Sequence, residues 1–246
     1  MAERVRLDIA LEQRGLARSR ARARDAIRRG TVTVNGVPAA KPGLLVADDD
    51  VLGLDDPAQG YVSRAALKLI AGLDAGGIAV AGRVCLDLGA STGGFTQVLA
   101  ERGAAKIYAV DVGHGQMDPT ISALPNVVAL EGVNARDLTG ETIGEPVDLL
   151  VCDISFVSVT KAIFPALALC RPGADAVILV KPQFEVGRAH IGKGGVVASE
   201  AAIAGAVETV VAFMAAAGWT LRQTLPSPIA GGAGNTEIVA LFRRVG

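Results

Sequence analysis

The sequence predicts an α/β protein whose main part is a doubly wound, mostly parallel sheet, preceded by a small α+β domain. Short apolar strands alternate with helical segments beyond residue 62, and a glycine-rich turn joins the first of these strands to a helix. Nine arginines fall within the first thirty residues of a chain whose net charge is only −1. These observations predict a small domain over 1–54, a linker over 55–62 and the α/β domain over 63–246.

Composition limits the class of protein. Half of the 246 residues are apolar, which is enough for a full core, and no apolar run reaches the ~18 residues that span a bilayer. No apolar signal core follows the first residues. Cys85, Cys152 and Cys170 lie in apolar surroundings with no ligand-like spacing, so they predict core residues of a reducing compartment. We therefore expect a cytoplasmic protein without a metal site, a membrane segment or an obligate protein partner.

The small domain has a regular pattern of helix and strand signals. Apolar spacing and glycines predict two short helices, one ending at Gly15 and one capped by Ser19 and ending at Gly30. The alternating stretch 31–37 predicts a strand that runs into an Asn-Gly hairpin turn. The stretch 44–54 predicts one further strand, interrupted by three aspartates.

The arginines of the second helix admit two interpretations. They could form a solvated face, but an excess of arginine over lysine suits bidentate phosphate binding, which favours nucleic acid. Residues 5–54 also resemble the S4-type RNA-binding domain, through Arg6-Leu-Asp, Arg18-Ser-Arg-Ala-Arg-Ala, Ile27-Arg-Arg-Gly and Val34-Asn-Gly. The predicted RNA-binding residues of this domain are Arg6, Arg18, Arg20, Arg22, Arg24 and Arg28.

The glycine turn is the central feature of the α/β domain. Its spacing resembles GxGxxG with Ser91 in place of the middle glycine, which disfavours a pyrophosphate and favours a ligand with ribose and carboxylate groups. Asp111 ends the next strand, 106–112, where an acid binds ribose hydroxyls. A glycine turn without a ligand is the alternative. The predicted cofactor-binding residues are Asp87, Gly89, Ala90, Ser91, Thr92, Gly93, Gly94, Asp111 and Val112, and a side chain at Gly93 or Gly94 is expected to collide with the cofactor.

Charged residues stand at the ends of several predicted elements. A helix over 64–73, capped by Ser63 and buried through Leu67, Ile70 and Leu73, carries Lys68 beside its apolar face. Three later charged residues mark strand ends: Asp153 closes the strand 147–153, Lys181 closes the strand 176–181, and Glu237 opens the last strand. Ligands of open α/β sheets bind at the carboxyl ends of strands, so these residues are candidates for a site.

Their order resembles the Lys-Asp-Lys-Glu tetrad of the FtsJ-like ribose 2′-O-methyltransferases. The surrounding residues match as well, in Ser63-Arg-Ala-Ala-Leu-Lys68, Asp153-Ile-Ser-Phe, Lys181-Pro-Gln-Phe-Glu185 and Asn235-Thr-Glu237. With the S4-type domain in front, the whole chain resembles the TlyA family, whose members are also labelled haemolysin A.

That resemblance implies a Rossmann-like class I methyltransferase fold and S-adenosyl-L-methionine as cofactor. It also implies methylation of cytidine 2′-hydroxyls in ribosomal RNA, with ribosomal RNA or ribosomal subunits as partners. Arg64, Arg188 and Lys193 are further predicted RNA contacts. The linker departs from the family at Gln59-Gly-Tyr-Val62, where an Arg-Xaa-Trp-Val word is expected.

The reaction needs an aligned hydroxyl and a group that removes its proton. Lys181 is the predicted base, because burial and a second lysine favour a neutral amine, and Lys68, Asp153 and Glu237 would position the hydroxyl and balance the charge. Lys68 as the base is the alternative, and the sequence does not separate the two lysines. Other functions weighed are methylation of a different structured RNA such as transfer RNA, a non-catalytic ribosome-binding factor, and a membrane-lysing toxin, against which the missing spanning and basic amphipathic segments speak.

Overall fold

The computed structural model describes residues 4–246, which divide into two units at the bond between Gly60 and Tyr61. The first unit contains two helices and five short strands. They are β1 (Val5–Arg6), α1 (Leu7–Gln13), α2 (Arg20–Arg28), β2 (Val32–Val34), β3 (Val37–Pro38), β4 (Leu45–Val46) and β5 (Leu52–Leu54).

Both predicted helices of this unit are confirmed, and so is the hairpin. The Ser19 hydroxyl accepts a hydrogen bond from the Arg22 amide and caps α2. Asn35 and Gly36 join β2 to β3 with φ values of 49° and 79°, as a two-residue hairpin turn requires. The two helices and β2 enclose a small apolar core around Leu7, Leu11 and Ile27.

The single strand expected over 44–54 is wrong. The stretch divides into β4, which pairs antiparallel with β1, and β5, which pairs antiparallel with β2 in a separate sheet. A turn separates the two strands because the Asp50 carboxylate accepts hydrogen bonds from the Ala47 amide and the Asn35 side chain. The three aspartates therefore mark a chain reversal.

Residues 55–60, predicted as a linker, fold against α2 within the first unit. Arg29 forms a bidentate ion pair with Asp56, at 2.9 and 2.6 Å. The Arg22 guanidinium donates to the carbonyl of Ala58, whose side chain is fully buried. Only after Gly60 does the chain leave this unit.

The second unit contains eight α-helices and seven strands among the described residues. They are α3 (Ala66–Gly76), β6 (Val84–Leu88), α4 (Gly94–Glu101), β7 (Lys106–Asp111), α5 (Pro119–Ser122), β8 (Val127–Glu131), α6 (Gly140–Ile143), β9 (Val147–Cys152), α7 (Val159–Ala162), α8 (Phe164–Leu169), β10 (Cys170–Val180), α9 (Pro182–Glu185), α10 (Glu200–Ala216), β11 (Trp219–Pro226) and β12 (Ile238–Arg244).

The seven strands form one sheet in the order β11-β12-β10-β9-β6-β7-β8. Pairings among β6 to β10 are parallel, whereas β12 runs antiparallel to both β10 and β11. The doubly wound, mostly parallel sheet is confirmed. The chain leaves β6 toward β7 on one side and later returns to β9 on the other, so a crevice opens at the carboxyl end of β6. Because β12 is antiparallel, its amino end lies at this same edge.

Helices cover both faces of the sheet. Leu86, Leu150 and Phe242 belong to one apolar cluster, which α10 closes with Val210 and Met214. A second cluster covers the opposite face, where α3 and α4 pack against β6, β9, β10 and β12. Within the described residues, no helix is long and apolar enough to cross a membrane. The three cysteines are free and buried, and burial raises the pKa of each thiol to about 12.

The helix that carries Lys68 differs from its prediction in position and in face. It spans Ala66–Gly76, because the residues capped by Ser63 form a turn before the helix begins. Its buried side consists of Ala66, Leu69, Gly72 and Leu73 together with Lys68, whereas Leu67 and Ile70 are only partly buried. Gly72 allows the close packing, since a Cβ there would lie 2.9 Å from Val239 of β12.

Candidate active site

Four charged side chains from distant parts of the second unit meet at the carboxyl edge of the sheet. Lys68 comes from the first turn of α3, Asp153 follows β9, Lys181 follows β10, and Glu237 precedes β12. The structure thus brings together the four residues that the sequence singles out, here called the tetrad. The parallel strands place Asp153 and Lys181 at this edge, and the antiparallel direction of β12 places Glu237 there.

The tetrad forms a connected pattern of ion pairs. Lys68 Nζ lies 2.5 Å from Glu237 Oε2 and 3.9 Å from Asp153 Oδ2. Lys181 Nζ lies 2.6 Å from Asp153 Oδ1 and also donates to the Asp153 carbonyl at 3.1 Å and to Ser155 Oγ at 2.8 Å. Asp153 is therefore shared between the two lysines.

Burial makes this pairing necessary. The side chains of Lys68, Lys181 and Glu237 are 8, 7 and 3 % exposed, and Asp153 is the most accessible member at 15 %. Two ammonium groups and two carboxylates balance each other, and buried charges are tolerated when they are paired. The arrangement can hold a hydroxyl near Asp153, the most accessible member of the group.

Glycine and asparagine residues support Glu237 from the preceding loop. A Cβ at Gly231 would overlap the Glu237 carboxylate, so the backbone approaches as only glycine permits. The Gly231 amide donates to the Asn235 carbonyl. The buried Asn235 side chain accepts from the Val197 amide and donates to the Gly195 carbonyl, which ties this loop to the one before α10. The position of Glu237 thus depends on backbone that lies close on two sides.

A cavity of about 400 Å³ opens beside the tetrad, at the crevice predicted by the strand order. Gly89, Ser91, Asp111 and Val112 line it, as do Asp153 and Ser155. A smaller cavity of about 150 Å³ shares Gly89, Ser91, Asp153 and Ser155 with it and adds Ala90, Thr92 and Gly94 from the glycine turn. The larger volume matches an ordinary small-molecule site.

The glycine turn and the end of β7 interlock through the Asp111 carboxylate. Its two oxygens accept hydrogen bonds from the Ser91 amide at 2.8 Å and the Gly113 amide at 2.7 Å. Gly89 brings the turn against the end of β9, because a Cβ there would lie 3.0 Å from the Asp153 backbone. The turn is thereby placed between Asp111 and the tetrad residue Asp153.

Three predicted cofactor residues have surroundings other than those expected. Asp87 is fully buried and lines neither cavity; its Oδ2 accepts from the Thr96 hydroxyl at 2.7 Å. Burial raises the pKa of Asp87 to about 7, partly opposed by the bond from Thr96. A Cβ at Gly93 would lie 3.0 Å from Ile121 and one at Gly94 would lie 2.7 Å from Ser63, so protein atoms meet the position that a side chain would take there.

The sequence missed one wall of the larger cavity. That wall consists of the chain segments that follow β7, β8 and β9 together with the end of α7, and its residues are Gln116, Val133, Asn134, Ala135, Arg136, Ile154, Phe156, Val157 and Ala162. Loops carry no periodic signal, and only their place after the strands could have identified them. The Glu131 carboxylate orders the loop that bears Gln116, because it accepts from three successive backbone amides, which lower the pKa of Glu131.

An exposed aromatic ring borders this cavity. Phe156 is 92 % exposed and has a φ of 69°, which an L-residue seldom adopts. Its ring centroid lies 5.6 Å from that of Phe184 on α9. A large apolar side chain held in solvent next to Asp153 offers a flat surface for an aromatic ligand.

The N-terminal arginines differ in exposure and in their partners within the first unit. Arg6 and Arg20 both form 3.0 Å ion pairs with the buried Asp8, and these bonds, led by that of Arg6, lower the pKa of Asp8 to about 2. The side chains of Arg18 and Arg22 donate to the carbonyls of Gly60 and Ala58. Arg20, Arg24 and Arg28 are exposed at intervals of four along α2, so they share one face.

In the second unit, Arg188 and Lys193 are exposed and Arg64 is partly buried.

The tyrosine and valine of the unusual linker word belong to the second unit. Tyr61 packs against the apolar cluster beneath α3 and α4. The Val62 amide donates to the buried Gln97 side chain at 2.8 Å, and Gln97 in turn donates to Glu101. These bonds fix the start of the second unit to α4.

Comparisons with known proteins agree with this architecture. The model of the FtsJ-like methyltransferase family matches residues 61–244, and that of the S4 domain matches residues 5–52. The chain is 48 % identical to the 16S/23S rRNA (cytidine-2′-O)-methyltransferase TlyA of Mycobacterium tuberculosis, covering 99 % of this chain and 91 % of the relative. It is 36 % identical to Hemolysin A of Brachyspira hyodysenteriae, over 97 and 99 % of the two chains. A solved structure from Streptococcus thermophilus, named a hemolysin, is 33 % identical with a TM-score of 0.78, over 100 and 90 %.

Proposed function

The chain belongs to the FtsJ-like methyltransferase family, and from this premise we propose that it methylates cytidine 2′-hydroxyls of ribosomal RNA with S-adenosyl-L-methionine. One observation carries the proposal: the tetrad meets at the edge of a nucleoside-sized cavity. Asp153 belongs to the tetrad and also lines this cavity. A group at the mouth of the cavity would therefore lie beside Asp153, the carboxylate that both lysines approach.

The cavity residues fit a nucleoside cofactor. Asp111 would hold ribose hydroxyls, since each of its oxygens retains acceptor capacity beyond its one backbone bond. Val112, Val133 and Ile154 supply apolar contact for a base. The cofactor, when bound, would supply a methyl group already activated by a sulfonium, so the protein needs only to align the acceptor and remove its proton.

Within the tetrad, the hydrogen bonds favour Lys181 as the base. Lys181 contacts both Asp153 and Ser155, which border the two cavities, whereas Lys68 is held by Glu237. Lys181 would release its proton to solvent and then accept the proton of the 2′-hydroxyl at Nζ. Asp153 would orient the hydroxyl, and the Lys68–Glu237 pair would keep Asp153 in place.

Surfaces in both units support RNA as the partner. The arginine face of α2 suits phosphate groups, and the exposed Phe156 ring suits stacking with a base. The name of the mycobacterial relative supports ribosomal RNA, or ribosomal subunits, as the specific substrate. We also propose a cytoplasmic location, where ribosomes are found.

The test uses purified protein with radiolabelled S-adenosyl-L-methionine and separately prepared 30S subunits, 50S subunits and transfer RNA. We expect methylation of a ribosomal substrate only, with mass mapping placing the methyl group on a cytidine ribose. Methylation of transfer RNA alone would show that the substrate is transfer RNA and not ribosomal RNA. No methylation of any RNA, together with tight subunit binding, would support a non-catalytic factor instead. Calorimetry with S-adenosylhomocysteine tests the cofactor site independently of the RNA.

A further inference from the structure

Glu185 connects two strand ends of the active site. It is the last residue of α9, four positions after Lys181. Its Oε2 accepts a 2.6 Å hydrogen bond from Ser158 Oγ, and its Oε1 accepts a 2.8 Å bond from the Val159 amide. Both carboxylate oxygens are therefore engaged by one short stretch of chain that follows β9.

That stretch ends the segment 153–159, which begins with Asp153 and forms part of the cavity. Neither helix nor strand stabilises residues 153–158. Asp153, Ile154, Ser155, Phe156 and Val157 nevertheless all line the larger cavity. The positive φ of Phe156 shows that the segment holds a conformation that needs support from its surroundings.

The segment is held at both ends by the same neighbouring stretch, 181–185. At the near end, Lys181 Nζ contacts the Asp153 carboxylate, the Asp153 carbonyl and Ser155 Oγ. At the far end, Glu185 binds Ser158 and Val159, and the rings of Phe156 and Phe184 meet between the two. Chain and contacts together make a closed loop through Lys181, the segment and Glu185.

We infer that Glu185 is a positioning residue, which fixes Asp153 and Ser155 against Lys181 by holding the far end of the segment 153–159. The inference rests on the proposed methyltransferase function. Among the described residues, no hydrogen bond or ion pair joins Glu185 to a tetrad member, so its effect passes through the segment. Misplacement of reacting groups by about 1 Å can reduce a rate by about 100-fold, which makes such a support consequential.

Three variants test the inference. Glu185→Ala removes both acceptors, and Ser158→Ala removes one donor while leaving the Val159 bond. Glu185→Gln keeps an acceptor for Val159 and can donate its amide to the Ser158 hydroxyl, so it preserves the geometry without the charge. Glu145→Gln is the control, because Glu145 accepts from Tyr108 and pairs with Lys106, and it lines neither cavity.

Hydrogen exchange of residues 154–159 is measured first, since it needs neither RNA nor catalysis. We expect Glu185→Ala to speed exchange of the Val159 amide at least tenfold, with Glu185→Gln and Glu145→Gln close to wild type. Unchanged exchange in Glu185→Ala would overturn the inference even if the proposed function failed. A wild-type protein that methylates no RNA would instead remove the proposed function while leaving the exchange result intact.

Single-turnover methylation across a pH series is the second measurement. We expect Glu185→Ala to lose 10- to 100-fold in rate with a shifted pH profile, Ser158→Ala to lose less, and Glu185→Gln to stay within threefold of wild type. A folded Glu185→Ala with wild-type rate and pH profile would overturn the inference. So would a Glu185→Gln variant that loses as much as Glu185→Ala, because the charge would then matter instead of the geometry.

Discussion

Lys68 and Glu237 are 169 positions apart in the chain, yet Lys68 Nζ lies 2.5 Å from Glu237 Oε2 in the folded protein. Lys68 belongs to the first helix of the second unit, and Glu237 precedes its last strand. Their bond joins α3 to the start of β12, and Lys68 Nζ also lies 3.9 Å from the Asp153 carboxylate that Lys181 contacts. The charge pair therefore closes the active site only when the whole sheet has formed.

Gly231→Ala should disrupt that pair without changing any charged residue. The added Cβ would overlap the Glu237 carboxylate and force it away from Lys68. We expect the single-turnover rate to fall about 10- to 100-fold while the protein stays folded. Gly205→Ala is the control, because its Cβ would meet nothing within 4 Å, and alanine in a helix is favoured by about 0.5–1 kcal/mol. Equal rates in both variants would show that methyl transfer does not require the observed position of the Glu237 carboxylate.

Lys181→Arg should abolish methyl transfer. Arginine keeps the positive charge near Asp153, but its guanidinium stays protonated and cannot accept the hydroxyl proton. We expect the single-turnover rate to fall about 100-fold or more at every pH, with S-adenosylhomocysteine affinity within a few-fold of wild type in calorimetry. Lys106→Arg serves as the control, because Lys106 begins β7 at the end of the strand opposite to Asp111. A near-normal rate in Lys181→Arg would show that Lys181 only positions the ribose.

Asp87→Asn should change how stability depends on pH. The pKa of Asp87 is raised by burial to about 7, against about 3.9 in an unfolded chain, so the folded protein retains a proton that the unfolded chain loses. The contribution of Asp87 to stability is therefore largest below about pH 4 and falls as pH rises toward 7, by about 1.4 kcal/mol per unit within that window.

Urea denaturation of wild type and Asp87→Asn at pH 4.5 and 7.5 measures this contribution. Wild type should lose stability relative to the variant as the pH rises. Glu208→Gln, on the exposed side of α10, should show no such trend. A difference between wild type and Asp87→Asn that is independent of pH would mean that Asp87 is charged in the folded protein throughout the range.

Joint replacement of Arg24 and Arg28 by glutamine should flatten the salt dependence of RNA binding. Each phosphate contact contributes about 0.7–0.9 to the slope of log K against log salt, so we expect the slope to decrease by about 1 to 2. These two arginines are preferable to Arg20 and Arg22, whose side chains also bind Asp8 and Ala58 within the unit. Cofactor affinity should not change. An unaltered slope would show that these α2 arginines form a solvated face and do not contact phosphates.

Local patterns in the sequence determined much of the architecture. Apolar runs located the strands of the main sheet, because a strand buried on both faces needs a continuous apolar stretch. The Asn35-Gly36 pair determined a hairpin, because both positions require a positive φ. Charged residues at strand ends predicted the tetrad positions, since parallel strands bring their carboxyl ends to one edge.

The tertiary structure alone decided the surroundings of the individual charges. On its helix, Lys68 stands beside apolar residues where a lysine normally reaches solvent, and only the antiparallel placement of β12 supplies the carboxylate that allows its burial. Asp87 belongs to the same motif as the cavity residues, yet alternation along β6 turns it toward Thr96 and away from the cavity. The wall around Phe156 depends on Glu185 and Lys181, which join loops whose sequences carry no period. Such contacts depend on distances between residues remote in the chain, and those distances are set only when the sheet is complete.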